Sequence, residues 1–238
     1  MSYRNDLFAG RTILVTGGTS GLGAAAAAAF AALGGRVVAA GLDAGNAAPV
    51  DDVEAVELDV TDARAVDGLI NDLDRLDVLV NCAGIIRRDD EFDLATFEQV
   101  VDVNLTGTMR ACTAARALLH SSAGSVVNTA SMHSFVSGAR VPAYTASKGG
   151  VAQLTKALAN AFALDGIRVN AVAPGWISTP LTADLERSAV GEEMRSRTPL
   201  GRWGRPDEVA DVIVFLASPA ARFVSGSIVP VDGGFLTR

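Results

Sequence analysis

Tyr144 and Lys148 stand four residues apart in the stretch YTASK, with only small residues between them. On a helix such a pair shares one face, so a phenol and an ammonium project together. A free phenol ionises near pH 10 and is a poor base at neutrality. A nearby cation favours the phenolate, so the spacing predicts that Lys148 pulls Tyr144 down by about two or three pH units. That would bring it into the range where acid–base catalysis is efficient. Upstream, Ser131 ends the β-branched run SVVNTA and supplies a hydroxyl that would hydrogen-bond an alcohol or carbonyl oxygen. Asn104, in VDVNLTG, sits inside a helical pattern, where asparagine is mildly unfavourable. A buried polar role is expected for it, holding a water between Lys148 and solvent. These four side chains fit proton transfer at a hydroxyl-bearing carbon.

The segment TGGTSGLG at 16–23 follows a strand-like run and opens an alanine-rich helical one. Gly17, Gly21 and Gly23 would permit a tight turn and let a pyrophosphate approach the helix N-terminus. Thr19, Ser20 and Leu22 lie in the same loop and belong to the same expected site. At the first strand-to-helix turn of a βαβ series, this pattern predicts dinucleotide binding. The adenosine end should meet the tip of the second strand, where the sequence reads AAGLDAG. An acidic residue there binds the ribose diol and repels a 2′-phosphate, and Asp43 is the candidate. No Arg or Lys lies in the glycine loop or in 37–50, so nothing there grips a 2′-phosphate. NAD is expected over NADP.

Seven short apolar runs would carry these groups: TILVT, RVVAA, AVEL, DVLVN, SVVNTA, IRVNAVA and SIVPV. Ala/Leu-rich segments of crossover length separate them. This alternation predicts an α/β, Rossmann-type doubly wound fold, a seven-stranded parallel sheet with helices on both faces, in a single domain over 1–238. Pro142 suits the first turn of the helix bearing Tyr144. The polar, Gly/Pro-punctuated stretch 178–206 breaks the rhythm and is expected to form a flap over the site. The chain has 238 residues and a formal net charge of −7, which argues against nucleic acid as a partner. Its longest apolar stretch, Leu22–Leu33, is far short of the roughly 20 residues a membrane span needs. The start, MSYRNDLF, is polar, so no signal peptide is expected. Cys82 and Cys112 have no metal or redox spacing. They read as reduced thiols of a cytoplasmic protein, with no metal site.

Taken together these residues resemble the short-chain dehydrogenase/reductase family over nearly the whole chain. The likeness rests on TGGTSGLG, LDV at 58–60, NCAG at 81–84, VDVN at 101–104, Ser131, YTASK, PGWIST at 174–179 and VDGG at 231–234. It implies that Asn104, Ser131, Tyr144 and Lys148 form the catalytic tetrad. It also implies cofactor contacts from Asp59 and Val60 at the adenine, and from Asn81, Ala83 and Gly84 beside the adenosine. Pro174, Gly175, Ile177 and Thr179 match contacts to the nicotinamide and pyrophosphate, and Tyr144 and Lys148 would meet the cofactor too. Cys82 departs from the family's usual second Asn. Gly41 departs from the Asp usual in NAD-type members.

The stretches AGIIRRDD, ASMHSFVSGARVPAYTASKGGV, PLGRWGRPDE and VDGGFLTR are similar to the bacterial sugar-acid dehydrogenases of that family. This implies hydride transfer between NAD(H) and a secondary hydroxyl of a sugar acid of the gluconate or 2-dehydro-3-deoxy-D-gluconate type. It also implies a homotetramer, with the C-terminal stretch near an interface. Arg87, Arg88, Arg140 and Arg202 fall in loops near the expected crevice, and arginine grips carboxylates in bidentate fashion. Arg87, His133, Arg140 and Trp203 are the substrate-side candidates, with His133 as pocket lining and Trp203 as an anchor for the flap. Two alternatives stand beside this reading. A carrier-bound 3-oxoacyl reductase would prefer NADPH and carry a basic docking surface. A non-catalytic dinucleotide sensor would not need Ser131, Tyr144 and Lys148 together.

Overall fold

The structure, a computed structural model, describes residues 4–47 and 50–238. The polar start read above lies partly outside these residues, as do positions 48 and 49 of the cation-free stretch 37–50. Seven strands form one sheet: β1 (Thr12–Thr16), β2 (Arg36–Gly41), β3 (Val53–Glu57), β4 (Val78–Asn81), β5 (Ser125–Thr129), β6 (Arg168–Pro174) and β7 (Ile228–Val231). All pairings are parallel, in the order β3-β2-β1-β4-β5-β6-β7. Each apolar run of the sequence became a strand. β1, β4 and β5 are buried at every residue, as continuous apolar runs in a covered parallel sheet should be.

The helices are α1 (Gly21–Ala31), α2 (Ala63–Asn71), α3 (Leu94–Val101), α4 (Gly107–Ser122), α5 (Pro142–Ala161), α6 (Ala183–Glu186), α7 (Ala189–Arg197) and α8 (Pro206–Ala217). On one face the core joins α1 and α8 to the sheet through Ala26, Ala27, Phe30, Val209 and Ile213. Alanine side chains let α1 pack closely, and Phe30 meets Phe8 edge-on, with centroids 4.8 Å apart. On the other face the core joins α2, α4 and α5 through Val66, Ile70, Ala115, Leu119 and Leu158.

The chain winds outward in both directions from β1 and β4. Their C-terminal ends therefore flank the topological switch point, where this class of sheet opens a crevice. The glycine loop follows β1, and residues 82–84 follow β4. β5 delivers Ser131, and β6 delivers the 174–179 segment. The stretch 178–206 holds α6 and α7. It is closed by a bridge between Ile177 and Gly204 and by Trp203 Nε1 donating to the Gly191 carbonyl at 3.2 Å. Between α3 and α4 the chain makes a π-helical turn, Asp102–Thr106, that contains Asn104. Such turns are rare and recur at functional sites.

Candidate active site

Tyr144 and Lys148 lie in the first turns of α5, as the spacing predicted. The first turn is poorly provided for locally: Val141 has no capping side chain and Pro142 has no N–H. The amide of Tyr144 instead donates to Glu91 Oε2 at 2.8 Å, across 53 residues of sequence. Glu91 is 1% exposed, and its other oxygen accepts from the Arg87 amide at 2.9 Å. Sequence reasoning missed Glu91, because an acidic residue in RRDDEF carries no local sign of a distant helix.

Lys148 is buried. Its Nζ donates to the Thr129 carbonyl at the end of β5, at 2.6 Å, and lies 5.7 Å from the Tyr144 ring centroid. Burial lowers the ammonium from its ordinary 10.5 to about 8. Tyr144 shifts the opposite way from the sequence expectation. Burial pushes the phenol up, outweighing the Ser131 hydroxyl and the Arg88 guanidinium that pull it down, and Glu91 adds to the rise. The expectation that Lys148 alone brings the phenol toward neutrality is therefore corrected. The ammonium is turned to a main-chain carbonyl, and the phenolate loses its hydration.

Asn104 is fully buried. Its Oδ1 accepts from the Ile85 amide at 2.8 Å, and its Nδ2 donates to the Ile85 carbonyl and to Ser147 Oγ, both at 3.0 Å. The amide thus clamps the backbone after β4 to α5. A Cβ on Gly84 would stand 3.2 Å from Asn104 Oδ1 and 3.6 Å from Lys148 Nζ, so Gly84, Asn104 and Lys148 meet at one point. Ser131 Oγ accepts from the His133 amide at 3.1 Å. That leaves its O–H to donate, and it faces the Tyr144 phenol, which it draws downward in pKa. His133 packs edge-on to Tyr144 with centroids 5.9 Å apart, and burial lowers its pKa so that it is neutral near pH 7.

The glycine loop fits a dinucleotide. Gly17 has φ +67°, and a Cβ there would lie 2.5 Å from the Ala83 amide nitrogen. Gly21 has φ +53°, and a Cβ there would make ordinary contact with the Thr179 side chain at 3.8 Å. Ser20 makes no side-chain cap, no acid lies in the first turn of α1, and the amides of Gly21, Leu22 and Gly23 find no acceptor among the described residues. Unspent N–H groups and a bare backbone at a helix N-terminus suit a pyrophosphate. Thr19 Oγ1 donates to the Leu42 carbonyl at 3.2 Å. It would stand 2.7 Å from a Cβ at position 41, so any larger residue there would make Thr19 shift.

Asp43 is exposed just beyond β2, and Glu57 holds the amides of Asp43 and Ala44 at 3.3 and 2.9 Å. Asp59 turns its carboxylate onto Thr61, while Val60 is buried beside it. Asn81 is spent inside the sheet, donating to Asn128 at 2.9 Å and accepting from Thr16 at 3.3 Å, so only its main chain is left for a ligand. Ile177 is likewise a core side chain. Gly175 passes Asp232 so closely that a Cβ would lie 2.7 Å from its Cα, and Pro174 ends β6. Cys112 belongs to the Asn81 network, and burial pushes its thiol up to about 12. Burial also raises Cys82.

A cavity of about 410 Å³ opens beside Ser131 and Tyr144. The structure redistributes the arginines around it. Arg87 does not reach it and is exposed. Arg140 lines it but is paired with Asp89 through two hydrogen bonds. Arg202 is paired with Glu208. Arg88 is the half-buried arginine on the cavity wall, and no acid closes an ion pair with it among the described residues. His133 lines the cavity as expected. Trp203 does not: it packs on Trp176 with centroids 5.4 Å apart. The tail joins the site unforeseen through Phe235, Leu236 and Arg238.

Between about pH 8 and 10.5 the folded protein carries Lys148 neutral while the unfolded chain keeps it charged. The unfolded state then binds more protons, so this residue's contribution to stability rises with pH in that window. Lys148→Met removes the dependence. From pH 7 to pH 10, wild type should gain on the order of 2–3 kcal/mol relative to K148M. Urea denaturation at both pH values checks this, and a constant gap would rule it out.

A family model described as enoyl-(acyl carrier protein) reductase matches residues 17–236. The 2-dehydro-3-deoxy-D-gluconate 5-dehydrogenase of Bacillus subtilis (strain 168) is 38% identical over 257 residues, covering 100% of both chains. The cis-4-hydroxycyclohexanecarboxylate dehydrogenase of Sinomonas cyclohexanicum is 42% identical, covering 97% of this chain and 98% of that one. A solved structure from Agrobacterium tumefaciens, named for 2-deoxy-D-gluconate 3-dehydrogenase and holding NADP, is 42% identical. It superposes with a TM-score of 0.89 over 99% of this chain and 100% of its own. With the parallel sheet, the glycine loop and the Ser131, Tyr144 and Lys148 cluster already in place, these likenesses make the chain a member of the short-chain dehydrogenase/reductase family.

Proposed function

We propose that this chain is a dehydrogenase with one catalytic domain that moves hydride between NAD(H) and a secondary alcohol or ketone of a sugar acid, gluconate-like or 2-dehydro-3-deoxy-D-gluconate-like. Tyr144 is its general acid and base. One observation carries the reading: Tyr144, Ser131 and the unpaired Arg88 line the same cavity. A bound nicotinamide would accept or supply the hydride. Ser131 donates its free O–H to the reacting oxygen, and Tyr144 takes or returns the hydroxyl proton. The raised phenol pKa favours donation near neutrality, which serves reduction; the phenolate needed for oxidation fills at higher pH. Arg88 presents a bidentate fork to the substrate carboxylate.

NAD is supported as cofactor by the absence of Lys and Arg from 16–23 and 37–50, and by the carboxylate of Glu57 behind the Asp43 turn. A 2′-phosphate there would meet negative charge and no cation. Exposed Phe92, Leu94 and Phe223 support self-association, in line with the homotetramer that the resemblance implies, and a cytoplasmic setting accords with two unpaired cysteines. The net charge of −7 speaks against a docking surface for an acidic carrier protein, and the assembled Ser131, Tyr144 and Lys148 speak against a mere sensor.

A second reading within the hydroxy acids is favoured by the cavity's apolar wall. Ile86, Val136, Trp176, Leu181, Met194 and Phe235 line it, and the Thr182 hydroxyl beside them is spent on the Ile177 carbonyl at 2.6 Å. A polyol would find few partners there, whereas a cyclic hydroxycarboxylate, the class named for the Sinomonas relative, would not need them.

The test is a screen of hexonates, deoxy-keto acids and cyclic hydroxycarboxylates with NAD and NADH, followed by the absorbance of reduced nicotinamide. On the best substrate, Tyr144→Phe should lower kcat by about 10²–10⁴-fold while NADH still binds. Retention of more than a few per cent of kcat would remove Tyr144 from its role. Arg88→Ala should raise KM for the acid by roughly 10–100-fold, as expected for losing a charged hydrogen-bond pair, and leave a neutral analogue unaffected. Equal effects on both would mean that Arg88 does not hold the carboxylate. Calorimetry should find NADH at least about tenfold tighter than NADPH, ~1.4 kcal/mol; the reverse order would overturn the cofactor assignment.

A further inference from the structure

We propose that Glu91 is a positioning residue: its buried carboxylate registers the loop that carries Arg88 against the helix turn that carries Tyr144. This rests on the reading of Tyr144 as the proton-transfer group.

Three observations carry the inference. The first is the geometry: one carboxylate accepts the amide of Arg87 at 2.9 Å and the amide of Tyr144 at 2.8 Å, one with each oxygen. The second is need. Tyr144 is the third residue of α5, whose first-turn amides have no partner within the helix. Val141 offers no cap and Pro142 no donor, so Glu91 serves as an N-cap supplied from another segment, favoured by the helix dipole. The third is cost. Glu91 is 1% exposed, and no cation among the described residues closes an ion pair with it. A buried charge without an ion partner is expensive, so holding the two amides must offset that cost.

The same loop is fastened a second time. The Asp89 amide donates to the Arg140 carbonyl at 3.0 Å, and the Arg140 guanidinium pairs with Asp89. That pair is exposed, with both side chains more than half accessible, and is worth little in water. Glu91 is the buried fastening.

A purely structural strut would leave the phenol's ionisation unchanged. Glu91 should not. The charged and titratable groups around Tyr144 and its cavity are Arg88, Asp89 and Arg140 on the loop and its clamp, His133 after β5, Lys148 on α5, Arg197 on α7, Arg238 of the tail, and Glu91. Of these, Arg88 favours the phenolate and Glu91 opposes it. Neutralising Glu91 should therefore lower the Tyr144 midpoint.

The sequence holds two tyrosines, Tyr3 and Tyr144. In a Tyr3→Phe background the ultraviolet phenolate band reports Tyr144 alone, without any substrate. Adding Glu91→Gln should move that midpoint down, with NADH binding held within about threefold; an unmoved midpoint overturns the proposal. Glu91→Asp keeps the charge but is one methylene shorter. It should leave the midpoint in place, speed hydrogen exchange of the Tyr144 amide at least about tenfold, and lower turnover of the best substrate. Wild-type exchange and turnover in E91D overturn the proposal. Should neither variant fold, the unmodified protein still decides. A Tyr144 amide with no helical acceptor is protected only if Glu91 holds it, so free exchange there refutes the role. A screen that finds no substrate would sink the proposed reaction yet leave the phenolate titration and the amide exchange readable.

Discussion

A buried ammonium must be held by something, and the site is organised around how Lys148 is held. It is 4% exposed, with no carboxylate closing on it and one main-chain carbonyl, that of Thr129, at 2.6 Å. That carbonyl is the last of β5, so the register of the sheet sets where the ammonium sits. Gly84 has no side chain at the point where Asn104 and Lys148 converge, and Asn104 reaches that point because a π-helical turn advances it. Ser147, between Tyr144 and Lys148, accepts from Asn104 and donates to the Tyr144 carbonyl at 2.8 Å. The small residues of YTASK are thus ties as well as clearance. Desolvation brings the ammonium to about 8, close to working pH, so the arrangement that is awkward for stability makes the lysine's charge responsive.

The fold was legible in the sequence because parallel strands buried on both faces leave continuous apolar runs, and each of the seven runs became a strand. The cluster of Ser131, Tyr144 and Lys148 was legible because strand ends and helix starts meet at one edge of such a sheet. Two properties were not legible. Spacing places Tyr144 and Lys148 on one face but does not say which way Nζ turns. It turns to Thr129, so burial and not the ammonium decides the direction of the phenol's shift. The cap of α5 was hidden for a different reason. Glu91 lies 53 residues before Tyr144, and no local pattern links them. Asn104 was found as an oddity in a helical pattern, but the turn that makes room for it has no residue signature.

The cofactor side shows how one close approach propagates. Thr19 Oγ1 fills the space where a side chain at position 41 would begin, so an acid there would have to displace the Thr19 hydroxyl from the Leu42 carbonyl. The turn beyond β2 then places Asp43 in the left-handed region, with φ 57°, and Glu57 fixes it through two amides. Negative charge is kept near the tip of β2 by residues the usual pattern does not name. The glycine at position 41 is thus coupled to the placement of the Thr19 side chain.

The distribution of partners among the arginines makes the last point. Arg110 is half-buried and answered by Asp102 and the Val60 carbonyl. Arg168 is half-buried and answered by carbonyls at the end of α8 and just beyond it. Arg140 and Arg202 have carboxylates. Arg88 is desolvated as well, enough that burial lowers its pKa, yet no acid closes on it. Glu91, close by, is the mirror case: a buried carboxylate satisfied by amides and not by a cation. Had the two formed an ion pair, the carboxylate would be drawn away from the Tyr144 amide it now holds. Kept apart, the cation lines the cavity and the anion holds the backbone at Tyr144. Leaving both charges without an ion partner is destabilising in isolation, and on the Glu91 side the two backbone amides offset part of that cost.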